Sequence, residues 1–143
     1  MAVHLMLLVK KAEHISTEEF HKYWVRANHK YHAYSPHADR NQSTTHADLF
    51  NSLSIVAEKV RKYSQFHVSS TIHDQLKGSG IPIPGFDGVA EIWADSVEDL
   101  MAILQDPEYK EKVAPDVAKF ADPETRMLMI GSDVLKTVDG KAV

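Results

Sequence analysis

The chain has 143 residues, 43% hydrophobic and 25% charged, which suits one domain spanning 1–143 and excludes a disordered tail, a collagen-like repeat and a coiled coil. A net charge of −4 makes a nucleic-acid partner unexpected, and zero cysteines exclude disulfides, thiolate metal sites and a cysteine nucleophile. Nine histidines stand out, since imidazole is the side chain that titrates near neutral pH.

Val3–Lys10 (VHLMLLVK) is an apolar run of strand length. It lacks a signal-peptide layout, and no run reaches the roughly 18 apolar residues of a membrane span, so a cytoplasmic protein without membrane partners is expected. Ser16 as N-cap, Glu19 at N3 and the Ile15/Phe20 staple predict a helix over 17–29. Residues 31–46 are polar and read as a loop holding His32, His37 and His46. Leu49, Leu53, Val56 and Val60 make a helical stripe over 47–60. Residues 62–71 alternate as a strand, with Ser64, Phe66 and Val68 on one face and Tyr63, Gln65, His67 and Ser69 on the other. KGSGIPIPG over 77–85 is a loop, read as a flap over a pocket; it lacks the ending and helix of a phosphate-binding loop. A strand is predicted over 87–94, then a capped helix from Ser96 through Gln105. Asp106-Pro107 restarts the helix, whose stripe continues past Pro115 to Phe120. Residues 126–130 are the last strand, and 134–138 a tail.

With the 47–60 helix as an insertion, the order is the α+β, ferredoxin-like β-α-β-β-α-β unit. Two helices cover one face of a four-stranded sheet. The other face also carries large apolar side chains, so a homodimer that stacks two sheets is expected.

Several stretches carry a family resemblance. VKK…ISTEEFHKYWVRANHK, with Ser16, Glu19, Phe20, Trp24 and His29, resembles the opening of EthD-like members of the dimeric α+β barrel superfamily. KYSQFH at 62–67, FDGVAEIW at 86–93, Asp106–Tyr109 and Pro115–Phe120 resemble the rest of that pattern, over about 3–135 in all. The nearest resemblance is to small fungal proteins that tailor aromatic polyketides, decarboxylases among them. It implies a cytosolic enzyme with no bound cofactor, acting on planar polyphenolic or enol acids.

His67 is the leading candidate, because a row of polar groups with Tyr63 and Gln65 on a covered sheet face marks a site. The resemblance adds His29, which follows the first helix, and Asn28 beside it could orient a substrate carbonyl. His73 is placed at a pocket mouth. Trp24, Phe86 and Trp93 would stack on a flat substrate where they border the cavity. Glu91 shares a strand face with Trp93. His4, His14 and His21 read as structural or exposed, Asp87 as a turn residue, and Asp116 as a cap that the resemblance raises. His29-Lys30-Tyr31-His32 lacks a third ligand, and no metal site is expected.

The resemblance, taken with these residues, implies a cofactor-free lyase on a polyketide-like aromatic acid, foremost a decarboxylase using two histidines, His29 and His67, as acid and base. A dehydratase or cyclase, an anthrone monooxygenase and a non-catalytic small-molecule-binding dimer are the alternatives.

Overall fold

The computed structural model describes residues 2–25 and 45–143. Strand β1 (Val3–Val9) sends Leu5 and Val9 into the core and His4, Met6 and Leu8 to the opposite face. Helix α1 (Thr17–Val25) begins at the expected capping box: the Glu19 N–H donates to Ser16 Oγ at 3.1 Å, and the Ser16 N–H donates to Glu19 Oε2 at 2.8 Å. The last four positions predicted for this helix, 26–29, lie outside the described residues, as do His29 and Asn28.

The single helix expected over 47–60 is two: α2 (His46–Asn51) and α3 (Ser54–Lys59). Leu53 breaks them, because its backbone turns extended as its side chain is drawn into the core. The Thr45–Asp48 capping box starts α2 one residue earlier than the apolar stripe implied. Strand β2 (Val60–His67) starts two residues early and ends four early. Ser69 accepts from the Ile72 N–H and opens a helix, α4 (Ser70–Leu76), that the alternating pattern concealed.

Strand β3 (Gly88–Ala94) and helix α5 (Val97–Gln105), capped by Ser96, stand where the sequence put them. The restarted helix is a π-helical turn at Tyr109–Val113 followed by α6 (Ala114–Val117). Pro115 cannot donate an intrahelical bond, and the widened turn just before it absorbs that loss. Strand β4 (Met127–Gly131) completes the sheet, and a small hairpin, β5 (Thr137–Val138) with β6 (Lys141–Ala142), replaces the expected plain tail.

The four strands run antiparallel in the order β2-β3-β1-β4, the ferredoxin-like arrangement. The helices bury one face in two apolar groups. One gathers Leu5, Ile92 and Ala94 with Phe50, Leu53, Leu100 and Ile103; the other gathers Val9 with Phe20, Trp24, Val117 and Phe120. The opposite face carries three cross-strand rows: Phe66, Val89, Leu8 and Met127; Ser64, Glu91, Met6 and Met129; Lys62, Trp93, His4 and Gly131. Phe66 is 58% exposed there and Met129 52%. Among the described residues no helix is long and apolar enough to cross a membrane.

Candidate functional site

Tyr63, Gln65 and His67 share the helix-covered face, as strand alternation requires. Gln65 Nε2–H donates to the Tyr63 hydroxyl at 2.8 Å, so its Oε1 faces His67 Nε2 at 3.2 Å. An amide oxygen only accepts; His67 therefore carries its proton on Nε2 and presents a lone pair at Nδ1. His21 of α1 meets that lone pair, Nδ1 to Nδ1, at 2.6 Å. The network thus assigns His21 Nδ1–H as donor and His67 Nδ1 as acceptor.

Trp24, three residues along α1, lies over His67 with ring centroids 4.9 Å apart, and His21 sits 4.8 Å from the same ring. Gly88 makes this approach possible: a Cβ there would lie 2.1 Å from Trp24 Cζ3 and 2.9 Å from the Phe66 carbonyl. Burial first, and then the facing His21, pulls His67 from the ordinary 6.5 to about 4, so it is neutral at pH 7. Burial pushes the Tyr63 hydroxyl up to about 12, against the lowering effect of hydrogen bonds from Gln65 and Trp24. Tyr63 also packs on Phe50, 4.9 Å between centroids, which anchors the row to the core.

A second polar group lies across Phe120 from this one. Asp116 of α6 accepts from the Tyr23 hydroxyl at 2.8 Å and from His46 Nδ1–H at 3.0 Å, and pairs with Lys119 at 2.9 Å. His46 contacts Phe120 with centroids 4.7 Å apart, and Trp24 reaches the same ring at 6.3 Å. Burial pushes the Asp116 carboxyl up, but hydrogen bonds from Lys119, Tyr23 and His46 more than offset it and hold it below the usual carboxylate range. Burial pulls His46 down, and Asp116 recovers only part of the shift.

The other sequence candidates fall elsewhere. Trp93, expected beside the cavity of His67, is on the opposite sheet face because β3 alternates: Ile92 takes the covered position and Trp93 the open one. There it stacks on His4 at 3.9 Å, bonds Asp133 through Nε1 and lies under Lys62. Glu91 shares that face, as expected, and accepts from Ser64. Phe86 meets Lys10, whose Nζ is 5.5 Å from its ring centre. His73 lines an open cleft of about 410 Å³ with Lys77, Ile81, Ile83 and Pro84, so the 77–85 loop borders a cleft on α4. Asp87 is more than a turn residue; its carboxylate accepts the Lys11 N–H at 2.8 Å and its own N–H donates to the Val9 carbonyl.

Sequence reasoning missed His21 and His46. His21 had a signal, since it precedes the core residue Trp24 by three positions and so shares its helix face. His46 had only half of one. The Thr45–Asp48 capping box marks a helix start, but nothing local announces a partner 70 residues away.

A family model for the EthD domain matches residues 12–124. Over 88 residues the chain is 31% identical to a protein named decarboxylase from Claviceps purpurea, a match that takes 59% of this chain and 62% of that one. The matched stretch therefore spans less than two thirds of the relative's length. Among solved structures, an ethyl tert-butyl ether D (EthD) family protein from Bacillus halodurans superposes with a TM-score of 0.57 at 21% identity, covering 94% of this chain and all of that one. A dimeric ferredoxin-like protein of unknown function from Thermobifida fusca gives 0.53 at 8% identity, over 92% of this chain and 91% of that one. A dimeric protein of unknown function with a ferredoxin-like fold, from Bacteroides fragilis, gives 0.52 at 11% identity, over 92% and 96%. At these identities the structures speak for the fold alone. The family model, which spans most of the chain, settles the membership: this protein belongs to the EthD domain family.

Proposed function

We propose that this protein is a decarboxylase of a planar aromatic or enolic acid of polyketide type, working by histidine acid/base chemistry without a bound cofactor, as a homodimer of one domain per chain. The similarity to a protein named decarboxylase supports the reaction class. The observation that carries the mechanism is the His21–His67 pair, set in a polar row beneath Trp24.

Loss of CO2 leaves an electron pair on carbon, and a proton must reach that carbon. Among the described residues His67 Nε2–H has only the long 3.2 Å contact to Gln65 Oε1, which a substrate atom can displace. Two imidazoles joined through one proton can pass a charge. A proton taken up at His21 Nε2 moves the shared proton to His67 Nδ1, and His67 then gives up its Nε2 proton. The burial that makes His67 hard to protonate also makes its imidazolium a strong acid, suited to protonating carbon. His29, outside the described residues, keeps the acid/base role that the resemblance implies, and Asn28 beside it the carbonyl-orienting role that its position suggests. The exposed Phe66, Met127 and Met129 face supports the homodimer.

The test is CO2 release, followed by mass spectrometry, from ortho-hydroxy and β-keto aromatic acids. His67→Ala and His21→Ala should each lower turnover about 10²-fold or more while leaving the fold intact. Unchanged turnover in folded His67→Ala sinks the assignment. Water loss or O2 uptake in place of CO2 release would instead identify the dehydratase or the monooxygenase.

A further inference from the structure

Gln65 stands between Tyr63 and His67 on the helix-covered face of β2. Its cross-strand neighbour is Ala90 and that of His67 is Gly88, so neither meets a polar side chain from β3. A glutamine in such a row costs more to desolvate than the apolar residue that would pack there. Satisfying Tyr63 does not account for it, because that hydroxyl also accepts a hydrogen bond from Trp24. What the amide does for His67 is specific. Its NH2 group, engaged by Tyr63 at 2.8 Å, turns Oε1 toward His67 Nε2 at 3.2 Å. From the other side His21 Nδ1 faces His67 Nδ1. Trp24 lies over the ring, and among the described residues no carboxylate or ammonium pairs with it. The polar groups facing His67 are thus one titratable imidazole, His21 of α1, and one neutral acceptor, Gln65.

We propose that Gln65 is the positioning residue of this site: anchored on Tyr63, its amide oxygen keeps the His67 proton on Nε2 and, being uncharged, leaves that proton free to be handed to the substrate. This deepens the decarboxylase reading and rests on it for the reaction, though not for the state of the imidazole. A carboxylate in the same place would hold the imidazolium as an ion pair and make it a weaker acid. The amide dipole orients the proton without that charge. When the substrate carbon takes the proton, the Nε2–H bond breaks, its electron pair stays on nitrogen and a C–H bond forms. Nε2 then carries a lone pair opposite the amide oxygen, acceptor against acceptor. That contact is relieved when solvent returns a proton to Nε2 and the proton on Nδ1 passes back to His21, which leaves the pair loaded for the next turnover. Gln65 therefore directs delivery from Nε2 and resets the pair afterwards.

The test uses the full chain with nitrogen-15 histidine. In the wild type, long-range proton–nitrogen NMR at neutral pH should show His67 as the Nε2–H form. Gln65→Glu should raise the measured His67 pKa from about 4 to above the ordinary 6.5, with an unchanged circular dichroism spectrum. In CO2 release the same variant should lose about tenfold or more in kcat at pH 7 with a smaller change in KM, and the limb of its pH profile should move up with His67. Gln65→Met, close in volume and without an amide, should leave His67 a mixture of Nδ1–H and Nε2–H forms and the limb where it was. That variant and the wild-type spectrum keep the test decisive where Gln65→Glu does not fold. Wild-type His67 protonated on Nδ1, an unmoved His67 pKa in folded Gln65→Glu, or a Gln65→Met that keeps the pure Nε2–H form each overturns the proposal; a role in packing alone predicts the unmoved value. The spectra need no substrate, which separates the two readings. The expected spectra without CO2 release refute the decarboxylase and leave the role of Gln65 standing, whereas CO2 release with an unmoved His67 refutes that role alone.

Discussion

Two tryptophan–histidine pairs lie on opposite faces of one sheet. Trp24 covers His67 under the helices, and Trp93 stacks on His4 on the face that carries no helix among the described residues. The residue types are the same and the surroundings are not. His67 is bonded to an amide oxygen and a second imidazole and loses water to the helices, so it stays uncharged at pH 7. His4 bonds the carboxylate of Asp133 at 2.8 Å, and Glu91 lies 3.5 Å from its other nitrogen. What distinguishes the two histidines is what surrounds them, and the helix layer decides that.

The largest effect that would sharpen this contrast is Trp24→Ala. Removing a ring that is 1% exposed should cost about 3–5 kcal/mol of stability. It should also admit water to His67, so that the His67 pKa measured by NMR rises back toward its ordinary value. A His67 that stays near 4 would mean that His21, and not burial, sets the shift. Next is Gly88→Ala, which leaves the ring in place but moves it. The added Cβ meets Trp24 and the Phe66 carbonyl, so chemical denaturation should show a loss of about 1–3 kcal/mol. Turnover should fall further than stability alone explains.

The third effect is one of pH. Between pH 6.5 and about 4 the unfolded chain protonates this imidazole and the folded chain does not. Stability should therefore fall as pH drops through that window, and His67→Gln should flatten the slope there. His46, also lowered by burial, adds to the fall. A slope in the variant as steep as the wild type's would assign it to other groups. The smallest effect belongs to the open face. Trp93→Ala removes one cross-strand stack and should cost a monomer no more than about 1 kcal/mol. Its consequence should appear in light scattering instead, as weaker self-association. A wild-type protein that is monomeric at micromolar concentration would sink the homodimer proposal.

The parts of this molecule legible in sequence are those governed by neighbours in the chain. Ser16 with Glu19 and Ser96 with Asp99 announce helix starts, because capping is a contact over three residues. The period of two places Tyr63, Gln65 and His67 on one face without knowledge of the partner strand. The order of these elements then leaves the ferredoxin-like sheet as the arrangement that buries their apolar sides. Local signals also misled: the stripe from Leu49 to Val60 hid the break at Leu53, and the alternation up to Ser69 hid α4.

What the tertiary structure decided is which side of each strand becomes dry and which distant groups meet there. Trp93 and His67 are equally plausible as pocket residues in one dimension. The register of β3 against β1 and β2 sends them to opposite faces. The His21–His67 bond joins positions 46 residues apart, and the His46–Asp116 bond joins positions 70 apart. No local pattern encodes either, because each depends on how α1, α2 and α6 dock on the sheet. Sequence by itself supplied the histidines and the secondary structure of His21 and His67. Packing supplied their partners and the desolvation that holds His67 and His46 in their neutral forms, and with that their chemistry.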